Sequence, residues 1–167
     1  MVIHLEKRKA IGITASLIAV VLLVSTIAMA TIGAIHEAVT IEGHAYTRTQ
    51  PGDEVVEVPL SAQLQVSITD HLPRVTTYKA IEGTITVNGT SYSVYEGYGY
   101  SCSVERRAVA YIELWASNGG ETLHLVGKAV AYNVTDEGVL RMFHGVMKID
   151  GTPYYVNATL LTYKISE

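Results

Sequence analysis

The chain is poor in cysteine, in charge and in aromatic rings other than tyrosine, and each shortage removes a class of protein. Cys102 stands alone, which excludes an intrachain disulfide, a CxxC redox pair and a thiolate-rich metal cluster. Charged residues make up 17% of the 167 positions and leave a net charge of -4. The chain therefore lacks the positive face that neutralises phosphates, and no nucleic-acid partner is expected. A hydrophobic share of 49% is nevertheless too high for a disordered segment. The histidines, at positions 4, 36, 44, 71, 124 and 144, do not show the close spacing of a zinc helix. His124 and His144 have a chance to meet across strands, and Met147 follows His144 closely, but no histidine follows Cys102 as a copper site needs. No metal and no cofactor is expected. There is no GxSxG, no paired acidic motif and no glycine-rich loop ahead of a helix, so the chain is not expected to be an enzyme.

What is present begins with a long apolar run. From Ala10 to Ile35 no side chain is ionisable, a length that crosses a bilayer as a helix at about 1.5 Å per residue. Lys7-Arg8-Lys9 precede it, and His36 and Glu37 follow. The cationic flank orients it N-in and C-out, placing the remainder outside the cell or on its surface, with the membrane a partner at least transiently. Three fates fit these residues. A removed secretory signal would use Ala28-Met29-Ala30 as its small-x-small site and start the mature chain at Thr31. Cleavage after Lys9-Ala10 would instead leave Ile11 at the head of a retained helix. Without cleavage the run is a plain anchor.

A short basic leader ending in Lys9-Ala10, then Ile11-Gly12-Ile13-Thr14 opening an uninterrupted apolar helix, then a β-rich remainder, resembles archaeal type IV pilins and archaellins. The resemblance covers about the first 36 residues; Ala15 stands where bacterial members carry Glu. It implies that retained helices pack into a filament core with the β domains outside.

Beyond Glu37 the period changes to two. Leu60, Ala62, Leu64, Val66 and Ile68 alternate with Ser61, Gln63, Gln65 and Ser67, which puts one face on a core and one in water. Further strands are expected at 38–46, 76–87, 90–100, 104–116, 121–132, 139–149 and 153–165. They are separated by Asn88-Gly89, Asn118-Gly119-Gly120, Asp136-Glu137-Gly138 and Asp150-Gly151, residues that tolerate the positive φ of tight hairpins. The expected architecture is all-β, an antiparallel meander of about seven or eight strands closed or folded as a barrel or sandwich, occupying 37–167 and preceded by one hydrophobic helix within 1–36. Positions 83–94 and 145–156 also echo each other at constant offset around Asn88-Gly89 and Asp150-Gly151. That echo fits either a duplicated half-domain or shared turn chemistry.

Tyrosine is over-represented, with 11 against one Phe and one Trp. The densest patch, Tyr95, Tyr98 and Tyr100 among Gly97 and Gly99, reads either as a platform for sugar rings or a partner subunit, or as cross-strand pairing over glycines. Asn88-Gly-Thr, Asn133-Val-Thr and Asn157-Ala-Thr are N-glycosylation acceptors if the domain is exported. The expectation is an exported cell-surface structural protein, a pilin-like filament or surface-layer subunit that self-associates. It would assemble by bundling helices from Ile11 or by donating Thr31 to Tyr46 as a strand to a neighbour's sheet edge. The alternative is a secreted or anchored monomeric binding module for a carbohydrate or protein partner.

Overall fold

The computed structural model describes residues 36–48, 53–104, 107–136 and 138–164. Those residues form eight strands: β1 (His36–Thr47), β2 (Val56–Leu72), β3 (Val75–Val87), β4 (Thr90–Val104), β5 (Arg107–Ser117), β6 (Thr122–Thr135), β7 (Gly138–Ile149) and β8 (Thr152–Lys164). Each pairs antiparallel with the next, and β1 pairs with β8, so the sheet is a closed up-and-down barrel. Between the two architectures the sequence allowed, the barrel is observed. The expected hydrophobic helix and the cleavage candidates Lys9, Ala10, Ile11, Ala28, Ala30 and Thr31 lie outside the described residues.

Alternation explains the closure locally. Leu60, Ala62, Leu64 and Val66 of β2 are buried while Ser61, Gln63 and Gln65 are exposed. One face of every strand thus supplies the interior, whose largest fully buried side chains include Phe143, Ile41, Ile85, Leu114 and Leu125. Phe143 fits because the paired inward glycines Gly127 and Gly145 leave room for its ring. A Cβ built on Gly127 would stand 2.7 Å from both the ring's Cε2 and the His144 carbonyl.

Most of the segment that strand donation would use is paired within its own barrel. Residues 36–47 of the stretch expected to leave the chain as a donor strand are β1 itself, paired along its length with β2 on one side and β8 on the other. Val39 and Ile41 face the chain's own core, and no strand edge is left unpaired among the described residues. The echoing hairpins fall at β3–β4 and β7–β8, four strands apart around the barrel. Their turns match: Asn88 and Gly89 at φ 49° and 81°, Asp150 and Gly151 at 45° and 84°, the left-handed pair that a two-residue hairpin requires.

At one end of the barrel the turns are tied to one another by side-chain and backbone hydrogen bonds. Asn118 Oδ1 accepts from the Gly120 and Glu121 amides at 2.9 and 2.7 Å. Asp150 Oδ1 accepts from the Thr122 amide at 2.8 Å, and the Asn88 amide donates to the Pro59 carbonyl at 3.0 Å. Tyr92, buried at this end, donates its hydroxyl to Glu121 Oε2 at 2.7 Å. Burial, then the Glu121 carboxylate, pushes its phenol up from 10.0 to about 12. A folded-state value above the unfolded one contributes stability in full below pH 10, and that stability is lost as the pH climbs toward about 12. Denaturant midpoints followed across this range are expected to fall more steeply for the wild-type chain than for Tyr92→Phe, which has no phenol to titrate. Parallel slopes would exclude the linkage.

Candidate functional site

The opposite half of the barrel is less completely filled. A cavity of about 50 Å³ lies inside, bounded mainly by hydrocarbon from Val39, Leu64, Val66, Ala80, Ile112 and Leu160. On the β4 side its wall includes Gly97 and Gly99, positions where the strands approach too closely for a side chain. A Cβ on Gly97 would stand 2.6 Å from Leu114 Cδ2, and one on Gly99 3.0 Å from the Tyr111 carbonyl. Glycine inside a strand commonly marks such a close approach.

Arg141 lines the same cavity. It occupies an inward position of β7, in phase with Phe143 and Met147, and is only 7% exposed. One arm is held: Nη1 donates to Thr162 Oγ1 at 2.7 Å and to the Val139 carbonyl at 3.4 Å. Its Nε is buried and has no hydrogen-bond partner among the described residues. Burial lowers the guanidinium from its ordinary value, while Tyr78 and Glu37 pull it back up. Nearby, the Tyr78 and Ser101 hydroxyls share a hydrogen bond of 3.3 Å. The result is a small, almost wholly apolar chamber with Arg141 buried beside it.

Arg141 was not anticipated, although an arginine in the buried phase of an alternating strand (Val139, Arg141, Phe143, Met147) was the available signal, as were the glycines of β4. Of the tyrosine patch, Tyr98 and Tyr100 border this cavity, although both are exposed. Tyr98 and Tyr100 are on the outer wall, where Tyr100 stacks on Tyr111 across β4 and β5 at 4.7 Å, and Tyr98 meets Trp115 edge-on at 6.3 Å. Tyr95 sits at a bulge of the β4–β5 pairing and is 64% exposed. These rings form cross-strand pairs on a convex surface. The hydrogen bond from Tyr98 to Glu96, 3.0 Å long, raises its phenol.

His124 and His144 do not meet. His124 is opposite Lys148 and His144 opposite Lys128; the first stacks on Trp115 at 4.9 Å and bonds Glu113 at 2.9 Å, the second bonds Asn157 at 2.7 Å. Met147 is fully buried inside while His144 is exposed outside, so the strand's alternation separates them. Half-buried Cys102 is free. Among the described residues no three His, Cys, Asp or Glu side chains converge on a point that could hold a metal ion. The three glycosylation candidates Asn88, Asn133 and Asn157 are all on the exposed surface.

These features define a class: an eight-stranded up-and-down antiparallel barrel with an interior cavity and a buried arginine. The chain matches no family model and no curated protein. Among solved structures it is similar to that of EF1p2_mFAP2b bound to DFHBI, with 16% identity and a TM-score of 0.43, covering 75% of this chain and 90% of that one.

Proposed function

We propose that this chain is an exported binding barrel that takes a small, largely apolar molecule into its interior. The observation that carries the proposal is the hydrocarbon-lined cavity with Arg141 in its wall. Closed barrels remove the sheet edges by which β domains polymerise or add partner strands, which favours the interior as the working surface over the strand-donation route. Export rests on the basic leader and apolar run, Lys7 to Ile35. Xenon, small enough for the cavity, is a suitable first probe. With the full chain in lipid nanodiscs and its methyl groups labelled, xenon is expected to shift the Val39, Leu64 and Leu160 methyls and leave those of Val126 and Val146 in place. An absent response at the cavity methyls would overturn the proposal.

A pilin-like filament subunit built on retained helices is the second reading. It is favoured by the outer face of β6–β8, where Val126 pairs with Val146 and Val146 with Tyr155. All three are exposed, as is Met142 nearby, and an apolar patch of this kind commonly marks a contact surface. Sheared cell supernatants that contain the chain in high-mass fibres would support this reading; a chain found there only as a monomer would exclude it.

A further inference from the structure

We infer that the outside of the barrel carries a second ligand site, a groove across β8, β1, β2 and β3 that takes a neutral sugar ring. The sugar's C–H face lies on Tyr163 and its hydroxyls meet Gln63, Gln65 and Glu82. This site is separate from the interior cavity and does not depend on it.

The groove encloses about 620 Å³, within the usual size of small-molecule sites. A convex wall acquires such a hollow where it is bent. Here the β2–β3 register shifts between Gln65 and Val66, so that Glu82 and Ala80 have partners on β2 while Ile81 between them has none, and a bulge of this kind bends its strand. Register sets the lining in two rows. One runs Tyr163, Ala38, Gln65, Glu82, the other Thr40, Gln63, Thr84. Tyr163 and Glu82 thus stand three strand spacings apart, about 14 Å, with the small Ala38 keeping the floor low beside the ring.

Tyr163 is 37% exposed, and Gln63, Gln65, Glu82 and Thr84 are exposed as well. None of these five side chains has a hydrogen bond or ion pair with a described residue. Elsewhere on the outer wall polar neighbours bond one another, as Thr86 does Ser91 at 3.1 Å and His144 does Asn157 at 2.7 Å. In the groove their capacity is left for a ligand. The amides both donate and accept, the carboxylate only accepts, and the ring offers an apolar face. A sugar matches that set, because its hydroxyls donate and accept while one face of its ring is C–H. Hydrocarbon would cover the amides and the carboxylate without replacing their bonds to water. Glu82 is the one charged side chain in the lining, so an acidic sugar meets a like charge and a neutral one does not.

The methyl glycosides of glucose, galactose, mannose and N-acetylglucosamine sample the class. Titrated into the full chain in nanodiscs, with the side-chain amides of Gln63 and Gln65 followed by NMR, at least one is expected to move both amides with a dissociation constant of about 1 mM, ordinary for a ligand of that size. The Trp115 indole N–H, whose ring is already stacked on His124, should stay in place, as should the buried Leu125 methyls. Tyr163→Ala is expected to weaken binding about fivefold and Tyr163→Phe to keep most of it. Methyl glucuronide should bind the wild-type chain more weakly than methyl glucoside, and Glu82→Gln should remove that difference, a comparison that stands if Tyr163→Ala does not fold. Amides unmoved by all four glycosides would overturn the site, and so would shifts confined to Trp115. Full-strength binding by a folded Tyr163→Ala would overturn the stacking, and glucuronide binding more tightly than glucoside would overturn the preference for a neutral ring. Each of these results leaves the interior cavity to its own test.

Discussion

Replacing Phe143 by Ala is expected to lower the unfolding free energy by about 3–5 kcal/mol, the usual result of emptying an aromatic site in a packed core. Few single substitutions in this chain should cost more. Phe143 is the largest fully buried side chain and is completely sequestered. Its site is shaped by two glycines on neighbouring strands, Gly127 and Gly145, so no side chain from either can swing in to fill the void. A domain of ordinary stability, about 5–15 kcal/mol in total, would lose a large part of it. Denaturant titration should show a lower midpoint with an unchanged slope, whereas a change below about 1 kcal/mol would mean that the ring is not the centre of the core.

The second large effect belongs to the seam. Gly43 of β1 lies opposite Ala158 of β8, and a Cβ added there would overlap the Asn157 carbonyl and stand 2.5 Å from the Ala158 Cα. Backbone cannot yield as a flexible side chain can, so Gly43→Val is expected to cost about 1–3 kcal/mol or more by forcing β1 and β8 apart. The consequence differs in kind from that of Phe143→Ala. Opening the seam exposes two unpaired edges, and exposed edges recruit other chains. Gly43→Val should therefore associate in a concentration-dependent manner visible by light scattering, while Phe143→Ala should not. Gly120→Ala is a useful control, because its Cβ would meet only Asn118 Oδ1, at 3.6 Å, and should leave both stability and association near wild type. A monomeric Gly43→Val of wild-type stability would show that β1 and β8 do not pack as closely as the seam requires.

The strands were legible because each is half in and half out of the core. Leu60 to Ile68 alternates without a break, and Asn88-Gly89 and Asp150-Gly151 announce their hairpins through backbone chemistry that few residues share. Boundaries blurred where bulges reset the phase. The expected strand 121–132 extends in fact to Thr135 as β6, because the register shifts between Ala131 and Asn133 and Tyr132 turns outward. Pro59 hid the start of β2, since proline normally argues against an interior strand position. Here its carbonyl serves the Asn88 amide of the neighbouring turn.

Closure was not legible, because pairing of β1 with β8 joins residues near opposite ends of the described chain and leaves no local pattern. A sandwich and a barrel present the same alternation. The cavity was hidden for a related reason: its lining comes from seven strands, and only closure brings them around one space. Tyrosines drew attention in the sequence by their number, yet the structure gives the patch of Tyr95, Tyr98 and Tyr100 to the exposed face. Arg141 is a single residue whose meaning depends on its phase within β7.

Closure of the sheet by its first and last strands leaves no edge unpaired among the described residues, and the proposed interior site depends on it. Amide hydrogen exchange in the full chain tests it most directly. Closure predicts that the facing amides of β1 and β8, from Val39 to Ala45 and from Val156 to Thr162, exchange as slowly as those of β6 and β7 and through the same cooperative opening. Fast exchange along both strands, with β2 to β7 still protected, would mean that the seam is open and would contradict it.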